Sequence, residues 1–133
     1  MIELDPVDRI EVERVALEYA EAFRTADVEA ATALTILPQV DCLDLGSRSG
    51  IYIMDGLEFG QNVAAHANES FTQETKSVVI EAMGKNAALA RFEAVLRKPD
   101  GSEAEIEWVE FLARTDAGWK IWANWLGPLP EGF

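Results

Sequence analysis

Four β-rich runs fill most of the second half of the sequence, and they constrain the fold more than any other feature. The runs cover roughly residues 76–83, 87–98, 103–115 and 119–126, and the turns between them are Gly84-Lys85-Asn86, Pro99-Asp100-Gly101 and Asp116-Ala117-Gly118. Residues of these types favour tight connections between antiparallel strands. Two runs are about twelve residues long, against a usual five or six, and strands of that length twist and curl. The pattern predicts a curved antiparallel meander.

The first half of the sequence carries helical patterns. Apolar residues recur at three- and four-residue steps from Val12 to Phe23, and Tyr19 lies within this apolar stripe. The predicted elements are a first helix started by Asp5-Pro6 or Asp8, a second from Asp27 to Ala33 or Leu34, a hairpin of residues 40–45 and 51–53, and a third helix over residues 57–69. We therefore expect an α+β fold in which three N-terminal helices pack on a strongly curved antiparallel sheet.

Composition limits the size of the protein and its partners. The 133 residues fit one domain, 1–133. A net charge of −13 argues against nucleic acid and against anionic membrane surfaces. The longest charge-free stretch, residues 30–40, contains Pro38 and is shorter than the roughly 20 apolar residues of a spanning helix. No secretory signal is visible at the start, so we expect a cytoplasmic protein.

Cysteine and histidine are too scarce for common cross-links or metal sites. Cys42 is the single cysteine and His66 the single histidine, so neither an internal disulfide nor a Cys/His zinc site is expected. We predict no cofactor and no metal. Cys42 is interpreted as a packing residue, and His66 as a residue of a helix surface or a pocket rim.

Strand alternation predicts apolar side chains on both faces of the meander. Arg91 and Glu93 project from one face of the second run, between apolar neighbours. The last run carries Trp119, Ile121, Ala123 and Trp125 on one face, and Trp122 and Leu126 beside Asn124 on the other. The helices can cover only one face of the sheet. The other face is expected to bind a second subunit, which gives a homodimer.

The order helix, short helix, hairpin, helix and curled meander resembles the NTF2-like superfamily over nearly the whole chain. Two segments carry the local likeness: residues 17–27, Leu-Glu-Tyr-Ala-Glu-Ala-Phe-Arg-Thr-Ala-Asp, and residues 116–121, Asp-Ala-Gly-Trp-Lys-Ile. The second resembles the closing hairpin of SnoaL-like members. The resemblance implies a cone-shaped fold that encloses a pocket. Because this fold hosts isomerases, cyclases, dehydratases, epoxide hydrolases and binding modules, activity must be argued from the site.

Tyr19 and Asp44 are the first candidate catalytic pair. Tyr19 lies on a buried stripe, so its hydroxyl needs a hydrogen-bond partner or a cavity. Asp44 lies on a strand among apolar groups such as Cys42, and such surroundings raise the proton affinity of a carboxylate. The two residues resemble the tyrosine and the strand aspartate of ketosteroid isomerases, in which the aspartate moves a proton beside a carbonyl and the tyrosine steadies the enolate. Asp41 is the rival carboxyl if the register differs by one.

That family also uses a second oxyanion donor, a protonated aspartate. The matching position in this sequence falls near Val109, which is not an acid. Glu110 is adjacent, and simple alternation places it on the opposite face from Val109.

Arg91, Glu93 and Asn124 are the second candidate cluster, for ligand binding. They resemble the Arg-x-Asp pair and the distant aspartate of limonene-epoxide-hydrolase-like enzymes, with Glu in place of one acid and Asn in place of the other. That chemistry needs an acid to protonate the epoxide oxygen and a base to activate water.

The leading hypothesis is a dimer whose pocket binds a small apolar or aromatic carbonyl compound and performs cofactor-free proton transfer, as an isomerase or a cyclase. Asp44 is the expected base and Tyr19 the expected hydrogen-bond donor. An epoxide hydrolase is the first alternative. A non-catalytic module that binds a ligand or dimerises is the second.

Overall fold

A computed structural model describes residues 3–45, 48–129 and 133. The elements, in chain order, are α1 (Pro6–Arg24), α2 (Val28–Ala33), β1 (Thr35–Leu45), β2 (Arg48–Met54), α3 (Gly56–Ala65), a 3₁₀ turn (His66–Asn68), β3 (Thr72–Ala82), β4 (Ala87–Arg97), β5 (Glu103–Thr115) and β6 (Gly118–Leu126). The expected α+β order of three helices, a hairpin and a four-stranded meander is confirmed.

The helices begin where the sequence supplies acidic caps. The side chain of Asp5 accepts a hydrogen bond from the Val7 amide, and Asp27 accepts one from the Ala30 amide. Asp55 and Glu58 form a reciprocal capping box at the start of α3. These carboxylates satisfy amides that have no partner within the first turn, so each helix begins at a defined residue.

The six strands form one mixed sheet in the order β2-β1-β6-β5-β4-β3. All neighbouring pairs are antiparallel except β1 with β6, which is parallel. The predicted antiparallel meander is confirmed, and the whole sheet is mixed because of the one parallel pair. The chain leaves β1 through the hairpin and α3, completes the meander, and returns with β6 in the direction of β1, a long connection of the kind that parallel pairing requires.

The core lies between the helices and one face of this sheet, the inner face. Val12, Val15 and Tyr19 of α1 are buried against it. Phe92 of β4 stacks on Trp108 of β5 with ring centroids 4.7 Å apart. The other face is called the outer face here.

Irregular pairing changes which side chains reach the inner face. Along β5 and β6, Leu112 pairs with Ile121 but Phe111 pairs with Ala123, so Trp122 is left without a partner residue in the ladder. An extra residue of this kind reverses the alternation beyond it and bends the strand. Ile121 and Asn124 therefore share the inner face. The simple alternation expected for β6 is wrong from Trp122 onward.

No helix in the described part of the chain is long and apolar enough to cross a membrane.

Candidate functional site

A cavity of about 800 Å³ opens between the helices and the inner face of the sheet. This volume lies within the usual range for small-molecule sites. The helical wall comes from α1, α3 and the 3₁₀ turn, and the opposite wall receives residues from all six strands. Aromatic and aliphatic side chains make up much of the lining, among them Phe23, Leu43, Tyr52, Phe71, Leu96, Ile106, Trp108 and Leu126.

Three polar side chains from three elements meet at the inner end of this cavity. Asn124 Nδ2 on β6 donates one hydrogen bond to the Tyr19 hydroxyl on α1 and one to Asp41 Oδ1 on β1, each at 3.1 Å. Asp41 and Asn124 are paired residues in the β1–β6 ladder. All three residues are buried and line the cavity. One amide group therefore fixes a phenol and a carboxyl relative to each other.

Gln39 holds the Tyr19 hydroxyl from the other side. Gln39 Nε2 donates to the Tyr19 hydroxyl oxygen at 2.7 Å and to Thr35 Oγ1 at 2.7 Å, and Thr35 Oγ1 donates to the carbonyl oxygen of Ile121 at 3.0 Å. The Tyr19 oxygen thus accepts two N–H bonds. Because none of the described residues accepts its proton, the Tyr19 hydroxyl is available to donate to a bound molecule.

Glu110 is a second acid at the inner end. It pairs with Asn124 across β5 and β6, lines the cavity, and is 1% exposed. Its Oε2 accepts a hydrogen bond from Trp108 Nε1 at 2.9 Å, whereas its Oε1 has no partner among the described residues. A buried oxygen without a partner calls for a hydrogen-bonding group on a ligand or an ordered water.

Burial sets the protonation of these groups. Loss of hydration raises the pKa of Glu110 well above its ordinary value, and the Trp108 hydrogen bond opposes this only in part. Burial also raises the pKa of Asp41, while the Asn124 hydrogen bond lowers it. Burial raises the pKa of Tyr19 above its ordinary range, against the two amide bonds. Burial therefore favours the neutral forms of Tyr19 and Glu110, and Asp41 is the least buried of the three groups.

The structure brings together some of the sequence-predicted residues and separates others. Tyr19 lies in the cavity as expected. Asp44 is exposed and does not line the cavity, because the strand face that enters it carries Asp41 and Leu43. The expectation that Asp44 shares a buried hollow with Tyr19 is wrong by strand parity, and the rival residue Asp41 takes that place.

The second predicted cluster is not assembled. Asn124 is at the inner end of the cavity, but Arg91 and Glu93 are exposed on the outer face. On that face Arg91 Nε lies 3.9 Å from Glu81 Oε1. The two sets of side chains are on opposite sides of the sheet, so an epoxide-hydrolase arrangement of Arg91, Glu93 and Asn124 does not exist.

Sequence reasoning missed two residues of the site. The family pattern places the second donor near Val109, and simple alternation places Glu110 on the opposite face. Glu110 nevertheless shares strand parity with the buried residues Trp108 and Leu112, and these apolar neighbours are a usable signal. Nothing in the sequence marks Gln39 as a site residue. The sequence pattern places it just after the second helix, where Pro38 closes that segment, whereas in the structure Pro38 and Gln39 belong to β1.

The outer end of the cavity carries His66 and Glu69. His66 Nδ1 lies 3.0 Å from the Asn62 carbonyl oxygen, and its Nε2 lies 3.5 Å from Glu69 Oε1. The expectation that His66 belongs to a pocket rim agrees with this position in the lining.

The arrangement of helices on a curved sheet around a polar-ended cavity defines the class: the chain has the NTF2-like, or cystatin-like, fold. It is similar to a cystatin-like protein of unknown function from Nostoc punctiforme, with 13% identity, a TM-score of 0.75, and coverage of 99% of this chain and 98% of that one. An NTF2-like protein of unknown function from Pseudomonas putida aligns with 12% identity, a TM-score of 0.77, and coverage of 94% and 89%. The association domain of C. elegans CaMKII aligns with 12% identity, a TM-score of 0.71, and coverage of 91% and 95%.

No protein-family model matches the sequence, and no curated protein matches it. At these identities the likeness shows the fold alone, so the activity has to be argued from the cavity.

Proposed function

We propose that this protein is a cofactor-free acid/base enzyme of the ketosteroid-isomerase-like or SnoaL-like kind, which binds a small apolar or aromatic carbonyl compound in the cavity and moves a proton beside the carbonyl. One observation carries the proposal: the Asn124 amide holds the Tyr19 hydroxyl and the Asp41 carboxyl at 3.1 Å each, within one buried cavity. Asp41 takes the role that the sequence assigned to Asp44.

The proposed step balances without a cofactor. The Asp41 carboxylate removes a proton from the carbon next to the carbonyl, and the electron pair of that C–H bond forms the enolate. The Tyr19 hydroxyl and the protonated Glu110 carboxyl donate hydrogen bonds to the enolate oxygen, where the negative charge develops. Asp41 then returns the proton to a different carbon for isomerisation. In cyclisation the enolate carbon instead attacks a second carbonyl carbon of the same molecule, and Asp41 returns the proton to the alkoxide oxygen that this attack forms.

Glu110 supplies the second donor that the sequence comparison lacked. Its unpartnered Oε1, its nearly complete burial, and the Trp108 bond to Oε2 support a neutral carboxyl that donates into the cavity. Removing one donor of an oxyanion site commonly slows the reaction by roughly 10²- to 10³-fold, so the presence of two donors makes enolate chemistry feasible in this cavity.

The test measures, by NMR in deuterated water, how fast the hydrogens beside the carbonyl exchange in a panel of enolisable cyclic ketones. Asp41→Asn is expected to slow exchange about 10²- to 10⁴-fold, as loss of a general base does. Asp44→Asn is the matched control, with the same change of charge on the same strand, and is expected to exchange at the wild-type rate. Equal rates for wild type and Asp41→Asn would reject the proposal, and ligand binding without exchange would assign a non-catalytic binding module instead.

We also propose that the outer face mediates a homodimer. Ile51 and Ile53 of β2 are 72% and 65% exposed, and Trp122 is partly exposed beside Phe111. Large exposed apolar side chains on one face of a sheet support an interface on that face. Ile51→Asp is expected to give a monomer by analytical ultracentrifugation, whereas Ile10→Asp on the exposed side of α1 is expected to leave the dimer intact. A monomeric wild type at micromolar concentration would contradict this. The cytoplasmic location stays a prediction.

A further inference from the structure

His66 and Glu69 form a second titratable pair in the cavity, which the proposed chemistry at the inner end does not use. His66 follows directly after α3, and its Nδ1 faces the carbonyl oxygen of Asn62 at 3.0 Å. A helix end leaves such carbonyl oxygens without backbone partners. A carbonyl oxygen only accepts, so the hydrogen of the ring is on Nδ1.

This assignment fixes the role of the other ring nitrogen. In a neutral ring Nε2 carries a lone pair, and it faces Glu69 Oε1 at 3.5 Å. The two atoms attract each other only when one of them carries a proton. Since 3.5 Å exceeds the usual range for an N–H···O bond, neither group is satisfied by the other. When Nε2 also carries a hydrogen, the pair presents one donor, the Nε2–H group of His66, and one acceptor, the Glu69 carboxylate, to the cavity.

The side chain of Phe23 lies between this pair and Tyr19 at the inner end. The ring of Phe23 packs on Tyr19 with centroids 4.9 Å apart, and on its other side it meets the His66 ring edge-on at 5.0 Å. Phe23 also lines the cavity. A ligand that reaches both Tyr19 and His66 must thus span the width of one aromatic side chain with an apolar body.

We propose that His66 and Glu69 bind a hydroxyl group at the outer end of the ligand, so that the substrate class is hydroxyketones in which an apolar ring system separates the hydroxyl from the enolisable carbonyl. The inference rests on the proposed function, because it uses the same cavity and the same orientation of the carbonyl.

A hydroxyl fits this pair better than a charged group does. It accepts from Nε2 and donates to the carboxylate, which matches the one donor and one acceptor that the pair offers. A ligand carboxylate would be repelled by Glu69, and by Glu58 in the same lining. The neighbouring cation Arg24 is already paired with Glu21 through two hydrogen bonds. An ammonium group would be repelled by His66 in its charged form.

The test compares 2-tetralone with 6-hydroxy-2-tetralone by isothermal titration calorimetry on the full chain. Wild type is expected to bind the hydroxylated ketone about tenfold more tightly, the effect of a hydrogen bond to a charged group. His66→Phe keeps a ring against Phe23 and removes both nitrogens, and it should bring the affinities for the two ketones to within about threefold of each other. Glu69→Gln is expected to act in the same direction, and His66→Gln to restore part of the preference.

Glu93→Gln is the matched control for the loss of charge, since Glu93 is exposed on the outer face. Its hydroxyl preference should equal that of wild type. Two results would overturn the inference and leave the proposed function standing. One is equal affinity of wild type for the two ketones, and the other is a loss of affinity in Glu69→Gln that is the same for both ketones. Hydroxyl preference without proton exchange would support the inference and reject the proposed catalysis. If neither ketone binds, both are rejected.

Discussion

The Asp41 carboxyl and the Tyr19 hydroxyl accept hydrogen bonds from the same nitrogen, Asn124 Nδ2, at 3.1 Å each. Both amide hydrogens of Asn124 are used in this way, so its side chain cannot turn without breaking both bonds. The relative position of the two groups is thereby set by one residue of β6 rather than by contact between them.

The first prediction concerns this shared amide. Asn124→Leu removes both bonds, and proton exchange should fall about tenfold or more because the acid and the base lose their orientation. Asn124→Asp instead places a second carboxyl beside Asp41. Like charge raises the pKa of Asp41, so the acidic limb of the pH–rate profile should move up by about one unit or more. A profile for Asn124→Asp that coincides with wild type would show that the two groups do not interact.

The second prediction concerns the Tyr19 hydroxyl. Tyr19→Phe should lower kcat about 10²- to 10³-fold, since one oxyanion donor is lost. It also leaves the Gln39 and Asn124 amides without their acceptor, and a buried unpaired group costs about 1–3 kcal/mol of unfolding free energy. Urea unfolding measures the second effect apart from the first. A loss of stability with unchanged kcat would make Tyr19 a structural residue only.

The third prediction is a pH dependence of stability that originates at Glu110. Burial raises the pKa of this carboxyl in the folded state, so above the unfolded value the folded state holds a proton that the unfolded state has released. Its stabilising effect is complete below about pH 4.5, the unfolded value, and is lost as pH rises toward the folded pKa, with a slope near −1.4 kcal/mol per unit. The raised pKa of Asp41 acts with the same sign.

Urea unfolding between pH 5 and pH 8 tests this prediction. Glu110→Gln removes the ionisable group at nearly constant shape, so its stability should fall less steeply with pH than that of wild type. Glu93→Gln, exposed on the outer face, should leave the slope unchanged. Identical slopes for wild type and Glu110→Gln would contradict a neutral buried carboxyl.

The fourth prediction concerns the capping box of α3, which positions part of the cavity wall. Asp55→Ala removes the acceptor for the Glu58 amide and should cost about 0.5–2 kcal/mol of unfolding free energy. Because Phe59 and Val63 anchor α3 in the core, the helix should remain formed and ketone binding should weaken only slightly. Asp55→Asn retains a capping oxygen and should retain most of the stability. Equal destabilisation by the two changes would attribute the effect to charge rather than to the cap.

The sequence predicts the helices, the turns and the long strands well, because each of these depends on residues that are close together along the chain. The apolar stripe that contains Tyr19 identifies α1 and its buried face, and Asp27 and Asp55 mark the helix starts. The turns define β4 and β5 almost to the residue. The alternation that buries Phe92 also follows from the sequence, since the charged residues Arg91 and Glu93 lie on the opposite face of that strand.

The site depends on pairing that local patterns do not encode. Both faces of β1 carry apolar residues, so alternation cannot say whether Asp41 or Asp44 enters the cavity. The parallel pairing that sets Asp41 opposite Asn124 decides it. The unpaired Trp122 then turns Asn124 inward.

The sequence by itself determined the elements, their order and the burial of Tyr19, because helix caps, turn residues and apolar periodicity act over a few residues. Only the tertiary structure decided which acids join Tyr19 in the cavity. A shift of one residue in strand pairing moves a side chain to the other face of the sheet. In this protein the pairing is fixed by the bulge at Trp122 and by the contact of Asp41 with Asn124, which is more than 80 positions away in the sequence.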